Sequence, residues 1–448
     1  MTTREDDRRI RWIDNAIMLC LGILIFILPV AHTATIRSLA LYLPIILLIL
    51  RYSLTKNLVW VKTSFEWKFL AFFAVAAASL ITSVDQHQSL KEIWGELITP
   101  IILFYTVYLS IRKESNAVLL LKILFWGSLV FSIYSFYDFQ KHGGSLIRDI
   151  YRAGGLRDPG GGEVAGLYHT MVIPFLFWGL SYFKNRWQRI GLSVLLMVNM
   201  LALHITFTRA AVVAFWVQAV MIIALLLSEK RWLWSFLIAA FILTAGFVYA
   251  EKKMFREDHA YKIPSFREYL KMTPEEIAGP SAKAVEKRLA MWKTAIEKIS
   301  ENPFYAHGYS RFLFAKVVRN EKNEHFIYPQ VHNTFIGIAF ELGVQGLIIF
   351  LWMTGAFIWA CLKYWKESPG NLSHYLSAAL LTMMCGYWIN NFFGSFDGDD
   401  SKLLFMLLLA MGMAVMNKLP KEKMALNEPP RRRNGRVSKV SPPLRGGD

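Results

Sequence analysis

Long apolar stretches separated by short charged segments divide this chain, and that pattern limits what it can fold into. A helix needs about 20 apolar residues to cross the hydrocarbon core of a bilayer. Stretches such as 213–228, 232–250 and 402–417 meet or approach that length with almost no charge. Because 54% of the 448 residues are hydrophobic and the mean hydropathy is +0.34, the chain is too apolar for an ordinary soluble domain.

Twelve such segments predict an all-α fold, a polytopic membrane helical bundle with about 12 transmembrane helices and a large helical periplasmic loop. The segments lie near 13–31, 36–52, 67–83, 93–111, 116–137, 166–183, 188–206, 210–228, 232–250, 333–362, 371–394 and 402–417. We divide the chain into helices 1–9 (1–250, with an outer loop at 138–165), a large outer loop (251–331), helices 10–12 (332–417) and a disordered basic cytoplasmic tail (418–448).

Basic residues indicate the orientation of the bundle. The short connections on one side hold, with their flanks, Arg51, Lys56, Lys62, Lys68, Arg112, Lys113, Lys184, Arg186, Arg189, Lys230, Arg231, Lys363 and Lys366. The short connections on the other side hold one basic residue apiece, namely Arg37, Lys91, Arg209 and Lys402. The positive-inside rule therefore predicts that both termini are cytoplasmic. The net charge of +17 resides largely in loops and tail, so it does not indicate nucleic-acid binding.

The first candidate for chemistry is Arg209, in the segment HITFTRAAVVAF. It stands just before an apolar helix on the outer face, where the charge rule disfavours a cation. Thr206 and Thr208 add hydroxyl donors, and the positive end of the helix dipole points to the same place, so an anion site is one interpretation. An interfacial side chain that reaches the headgroups is the other.

The second candidate is Arg288, on a predicted amphipathic helix in the large loop. Val285, Leu289, Trp292, Ile296 and Ile299 recur at helical spacing. The helix should end before Pro303 and Gly308. Arg288 lies beside this apolar stripe, which would hold a guanidinium at the membrane surface; a plain surface arginine is the alternative.

The third candidate is His332, in VHNTFIGIAFELGVQGLIIF, at the predicted outer end of a transmembrane helix. Asn333 or Thr334 is positioned to cap this helix. A histidine at the positive end of a helix dipole tends to stay neutral, which suits a base or a hydrogen-bond acceptor. A capping histidine without further role is the alternative. Glu341 and Gln345, deeper in the span, are interpreted as structural.

Other polar residues are expected to be structural. They are His169, His204, His307 and the acidic segment with Asp397, Asp399 and Asp400. We expect no metal and no cofactor, because the cysteines Cys20, Cys361 and Cys385 fall in separate apolar segments without metal-ligand spacing and no GxxxxGK[ST] motif is present.

In this order the segments TFTRAAVVAF, RLAMW with Pro303 and the glycine turn, and HNTFIGIAFELGVQGL resemble the O-antigen ligase family, within a superfamily that includes the O-antigen polymerases. GGGEVAGLYHTMVIPF is a looser match. This chain departs from the pattern at 167–170, where many polymerase-type relatives carry an asparagine-rich turn.

The resemblance implies a metal-independent, inverting glycosyltransferase of the bacterial inner membrane, with its active site facing the periplasm. It would move polysaccharide from undecaprenyl diphosphate to a sugar hydroxyl of lipid A-core, so its partners would be these two glycolipids and membrane lipid. Arg209 and Arg288 match the family's essential arginines, for the donor diphosphate, and His332 its essential histidine. Tyr168, His169, Thr208 and Asn333 are further candidates.

Three alternatives to a ligase are open at this point. An O-antigen polymerase uses the same class of donor, and so does a protein O-oligosaccharyltransferase of the same superfamily. A lipid-linked glycan flippase or transporter is more remote, because transporters usually show two matching halves and deep intramembrane charges. Here the candidate residues gather at outer helix ends beside the large loop, which favours an enzyme.

Overall fold

The computed structural model describes residues 4–30, 32–55, 63–146, 151–156, 161–227, 280–322, 330–394 and 399–419. Within these ranges the chain forms helices and turns and no strand, so the prediction of an all-α polytopic membrane protein is confirmed. Nine helices of this part are long and apolar enough to cross a membrane. The predicted span 232–250, residues 251–279 and 323–329 of the large loop and nearly all of the tail lie outside the described residues.

Six α-helices and one π-helical segment occur in the first half of the bundle as far as the structure describes it. They are α1 (Arg4–Ile27), α2 (Ala34–Thr55), α3 (Glu66–Ala78), α4 (Gln86–Glu92), the π-helical segment Ile93–Ile98, α5 (Thr99–Ser110) and α6 (Glu114–Lys141). Helix α4, the π-helical segment and α5 run on as one candidate span of 25 residues. Helix α3 has only 13 residues, or about 20 Å of length, which is short of the bilayer core.

The described part of the second half comprises eight α-helices. They are α7 (Gly162–Tyr182), α8 (Arg186–Ile205), α9 (Arg209–Leu227), α10 (Pro280–Glu301), α11 (Leu313–Lys322), α12 (Thr334–Glu367), α13 (Leu372–Phe393) and α14 (Asp399–Met413), which continues as a π-helical segment (Ala414–Lys418). Helix α13 is not among the nine candidate spans, because buried polar residues such as His374, Asn390 and Asn391 lower its hydropathy. The count of twelve spans therefore stays a prediction.

Helices α7 and α13 form the centre of the bundle, where they pack against each other and against α9. Trp178 donates a hydrogen bond to Thr382 Oγ1 at 3.3 Å, and Gln218 Nε2 donates to the carbonyl oxygen of Thr170 at 2.7 Å. Gly386 allows the close approach of α9, because a Cβ there would lie 2.1 Å from Gln218 Nε2. These two hydrogen bonds link α7 to α13 and to α9.

Helix α12 is broken at Gly343, which has φ 74° and ψ 174°. The ring centroids of Phe335 and Phe350 lie 6.1 Å apart, whereas fifteen positions of a straight helix span about 22 Å. The first arm, α12a (334–342), therefore folds back along the second arm, α12b (344–367). The sequence predicted one continuous span at 333–362. That continuity is wrong, because Gly343 adopts a backbone conformation that ends the helix.

The loop after α10 fits onto this break. The amide of Gly308 donates to the carbonyl oxygen of Glu341 at 3.1 Å, and the amide of Val344 donates to that of Pro303 at 2.9 Å. Gln345 Nε2 donates to the carbonyl oxygens of Leu342 and Phe304. Backbone groups that a helix break leaves without helical partners are satisfied in this way.

The predicted helix in the large loop is confirmed as α10, but the face it buries differs from the prediction. Met291 and Ala295 are almost completely buried, and Trp292 and Ile299 pack against the same cluster. Leu289 and Ile296 are about half exposed. The buried face of α10 is therefore rotated by part of a turn from the predicted apolar stripe. The reason is that α10 packs on α11 and α12a.

Candidate active site

The starts of α7 and α9 meet at one corner of the bundle. A Cβ on Gly162 would lie 2.4 Å from the carbonyl oxygen of Thr206, and one on Gly166 would lie 2.8 Å from the Cβ of Ala211. Two glycines one turn apart thus allow the helix ends to touch. The Thr208 side chain is buried in this contact, whereas Arg209, the first residue of α9, is exposed.

Phe207, between the two threonines, has φ 47°. Few residues other than glycine adopt this left-handed conformation, and such strain persists only where the surroundings impose it. Here the strained residue lies in the turn that connects α8 to α9, two residues before Arg209.

Arg288 joins three elements at the same corner. Its Nη1 donates to the carbonyl oxygen of Phe393, the last residue of α13, at 3.0 Å. Its Nη2 lies 3.8 Å from Glu163 Oε1, in the first turn of α7. The Arg288 side chain is 35% exposed, so its guanidinium is held by the protein and still borders solvent. The segments that carry Arg209 and Arg288 are therefore neighbours.

His332 lies just before α12a, in a left-handed conformation with φ 54°. The next residue, Asn333, caps the helix by accepting hydrogen bonds from the amides of Phe335 at 3.0 Å and Ile336 at 3.1 Å, as predicted. Trp292 Nε1 donates to the carbonyl oxygen of Val331 at 3.0 Å. Because Trp292 is one turn from Arg288 on α10, this helix positions both Arg288 and the residue before His332.

His332 borders a cavity of about 120 Å³ enclosed by α3, the π-helical segment, α5, α12, α13 and α14. Part of the lining is polar and includes Tyr309, Arg311, Gln330, His332, Asn333 and Thr334. Another part is apolar and includes Phe69, Phe72, Phe350, Phe357, Phe405 and Leu409. Residues 334, 337, 338 and 341 of α12a recur at helical spacing, so one face of this helix forms a wall of the cavity.

Several polar residues of this cavity were not predicted as site residues. Glu96 pairs with Lys402, and both side chains are buried. Glu341 faces the same space, although it was interpreted as structural. Tyr309 is packed against the cavity, and burial raises its pKa well above the usual value. The available signal was Glu96 itself, since an ionisable residue inside an apolar run calls for a partner or a function.

The other predicted residues lie away from this cavity. Tyr168 packs on Phe131, with ring centroids 4.5 Å apart, and His169 Nδ1 is hydrogen-bonded to Asn199 at 3.0 Å. Both side chains are buried inside the bundle. Of the seven predicted residues, all of which the structure describes, the cavity lining contains His332 and Asn333, whereas Thr208, Arg209 and Arg288 lie at the α7–α9 corner.

The remaining polar candidates have structural partners. His204 Nε2 lies 3.2 Å from the carbonyl oxygen of Leu146, and the His307 ring stacks on Phe340 at 4.2 Å. Asp400 pairs with Arg37, whereas Asp397 and the side chain of Asp399 lie outside what the structure describes. No group of three His, Cys, Asp or Glu side chains that could hold a metal occurs in the described part of the chain.

Fold and cavity together define an all-α polytopic membrane protein with a partly polar cavity among its helices. A sequence profile described as O-antigen ligase matches residues 193–351, the stretch that contains Arg209, Arg288 and His332. This match confirms the resemblance to the O-antigen ligase family seen in the motifs, and it supports the O-antigen ligase and polymerase superfamily of membrane glycosyl-transferring enzymes. No curated protein sequence matches the chain.

Proposed function

We propose that this protein is an O-antigen ligase, which transfers polysaccharide from undecaprenyl diphosphate to a sugar hydroxyl of lipid A-core. The observation that carries the proposal is the role of α10. Through Arg288 it contacts the corner that bears Arg209, and through Trp292 it contacts the residue before His332. A cationic corner and a candidate base are thereby coupled to one helix of the family-matched region.

The donor diphosphate is assigned to the corner of Arg209 and Arg288. Negative charge develops on this leaving group, and guanidinium groups stabilise it well because their donors match phosphate oxygens in geometry. The start of α9 adds the positive end of a helix dipole. Under this proposal Glu163 moves aside or is outcompeted when the diphosphate contacts Arg288.

His332 is assigned to the acceptor. A ring nitrogen takes the proton of the acceptor hydroxyl while its oxygen attacks the anomeric carbon, and the bond to the diphosphate oxygen breaks. Attack opposite to the leaving group inverts the anomeric centre and needs no metal. In an alternative role within the same proposal, His332 only orients the hydroxyl.

The proposal also includes the setting of the enzyme. Both termini are cytoplasmic in the bacterial inner membrane, as the distribution of basic residues indicates, and the starts of α7, α9 and α12a face the periplasm. Polymerase and protein O-oligosaccharyltransferase are the alternatives within the superfamily.

The test is to profile lipopolysaccharide and carrier-linked polymer in a strain without this gene. Complementation uses wild type, Arg288→Ala or His332→Ala, with Arg189→Ala and His87→Ala as exposed matched controls outside the site. We expect the deletion, Arg288→Ala and His332→Ala to accumulate long polymer on the carrier and to leave the core bare. Single repeat units attached to the core would instead identify a polymerase, and normal capped lipopolysaccharide in the deletion strain would refute the proposal.

A further inference from the structure

One face of α12a is open to the cavity beside His332. A Cβ on Gly337 would meet only Glu341 Oε1, at 3.8 Å, which is an ordinary contact distance. Gly337 is buried and its backbone is helical, and this open space is part of the cavity that it lines. The glycine therefore leaves a flat floor between Thr334, one turn before it, and Glu341, one turn after it.

Thr334 adds an observation that points to a ligand. Its side chain is 4% exposed and borders the cavity, and its Oγ1 has no hydrogen-bond partner in the described part of the chain. A buried hydroxyl without a partner loses its hydrogen bonds to water on folding, which is unfavourable. A hydroxyl group of a bound molecule would satisfy it.

The charges around this space favour an uncharged polar ligand over a phosphate. The lining contains three carboxyl groups, of Glu92, Glu96 and Glu341, and two basic side chains, of Lys402 and Arg311. Lys402 pairs with Glu96, so no surplus of positive charge is left for a diphosphate. Carboxylates accept hydrogen bonds from hydroxyl groups, and sugars present several of these on one ring.

We propose that Thr334, Gly337 and Glu341 form the subsite for the acceptor sugar ring. This inference rests on the proposed function, because His332 can act only on the ring that carries the attacking hydroxyl. The ring lies over Gly337, Thr334 and Glu341 contact its hydroxyls, and the reacting hydroxyl faces His332. The diphosphate stays at the α7–α9 corner.

The experiment measures transfer by purified protein in nanodiscs, with lipopolysaccharide from the strain lacking this gene as acceptor and carrier-linked polymer as donor. Gly337→Ala places a small side chain in the space beside Gly337, and Gly337→Leu places a large one there. Gly355→Ala and Gly355→Leu are matched controls in α12b, because Gly355 is exposed and a Cβ there would have nothing within 4 Å. Thr334→Val removes the hydroxyl, and Thr334→Ser retains it.

We expect Gly337→Ala to raise the acceptor KM roughly 10-fold and Gly337→Leu to abolish saturation by acceptor, with donor KM unchanged within about two-fold. Thr334→Val should raise the acceptor KM roughly five-fold, the worth of one hydrogen bond, and Thr334→Ser should restore it. The thermal unfolding midpoint of Gly337→Ala should not fall, because alanine favours a helix more than glycine does.

An unchanged acceptor KM in folded Gly337→Leu would overturn the subsite, and so would a rise in donor KM alone. If wild type transfers nothing, the proposed function fails. The subsite is then tested separately by equilibrium binding of the acceptor lipopolysaccharide in radiolabelled form. Binding that Gly337→Leu abolishes and Gly355→Leu retains supports the subsite, whereas equal binding or no binding by wild type refutes it.

Discussion

The guanidinium of Arg288 is fastened to the end of α13, because its Nη1 donates a hydrogen bond to the carbonyl oxygen of Phe393 at 3.0 Å. One donor thus fixes the side chain, and Nη2 lies within 4 Å of Glu163. This arrangement uses the fork of an arginine, which a lysine does not have.

Arg288→Lys should therefore lose most of the transfer rate although it keeps the charge. An ammonium cannot contact both Phe393 and a diphosphate, so we expect a fall of roughly 10- to 100-fold in kcat/KM, or about 1.4 to 2.8 kcal/mol of transition-state stabilisation. Transfer rates of the purified variant measure it, with Arg189→Lys as the control. A rate within two-fold of wild type would mean that only the charge at this position matters.

Gly343→Ala should destabilise the fold of α12. Alanine at φ 74° is strained, and its Cβ would approach the Gln345 side chain, which bonds the carbonyl oxygens of Leu342 and Phe304. We expect about 1–2 kcal/mol lower unfolding free energy and reduced transfer, because α12a carries the wall beside His332. Thermal unfolding in detergent provides the measurement, and Gly355→Ala should be unaffected or slightly stabilised.

The buried pair of Glu96 and Lys402 should behave as a unit. Glu96→Leu or Lys402→Met alone leaves a buried charge without its partner, and we expect each to lower the unfolding free energy by about 3–5 kcal/mol. The double substitution should recover most of that loss, since no charge is then left unpaired. Unfolding midpoints of the four proteins form a double-mutant cycle, and additive losses would contradict the coupling.

The ion pair of Asp85 and Lys316 should make the attachment of α11 sensitive to acid. Lys316 donates to Asp85 Oδ2 at 2.6 Å, and this hydrogen bond lowers the pKa of Asp85. Because the pKa is lower in the folded state, the stabilisation is present above the unfolded pKa of about 3.9 and is lost as pH falls through the folded pKa.

The difference in unfolding midpoint between wild type and Lys316→Met should therefore be constant from neutral pH down to about pH 5 and should shrink below about pH 4. Unfolding scans over this range measure it. Lys293→Met is the control, since that lysine is highly exposed. A difference that stays constant to pH 2 would show that Asp85 is not the titrating partner.

The locally encoded features of this protein were predictable from its sequence. Apolar stretches of about 20 residues indicated the helices, because crossing a bilayer depends on length and hydropathy alone. Asn333 or Thr334 was predicted as the cap of α12a, and Asn333 is the cap, since its side chain accepts hydrogen bonds from the amides two and three positions further on. The order of the motifs around Arg209, Arg288 and His332 indicated the family.

Only the tertiary structure decided which residues meet. Glu96 and Lys402 are 306 positions apart, and no local pattern pairs them. The break at Gly343 is held by Pro303 and Gly308, which follow another helix, so the hydropathy of 333–362 alone predicted a straight span. Met291 and Ala295 of α10 are buried because α11 and α12a pack against that face of the helix. Helix formation depends on neighbours in sequence, whereas the cavity depends on contacts between distant segments, and these form only when the bundle packs.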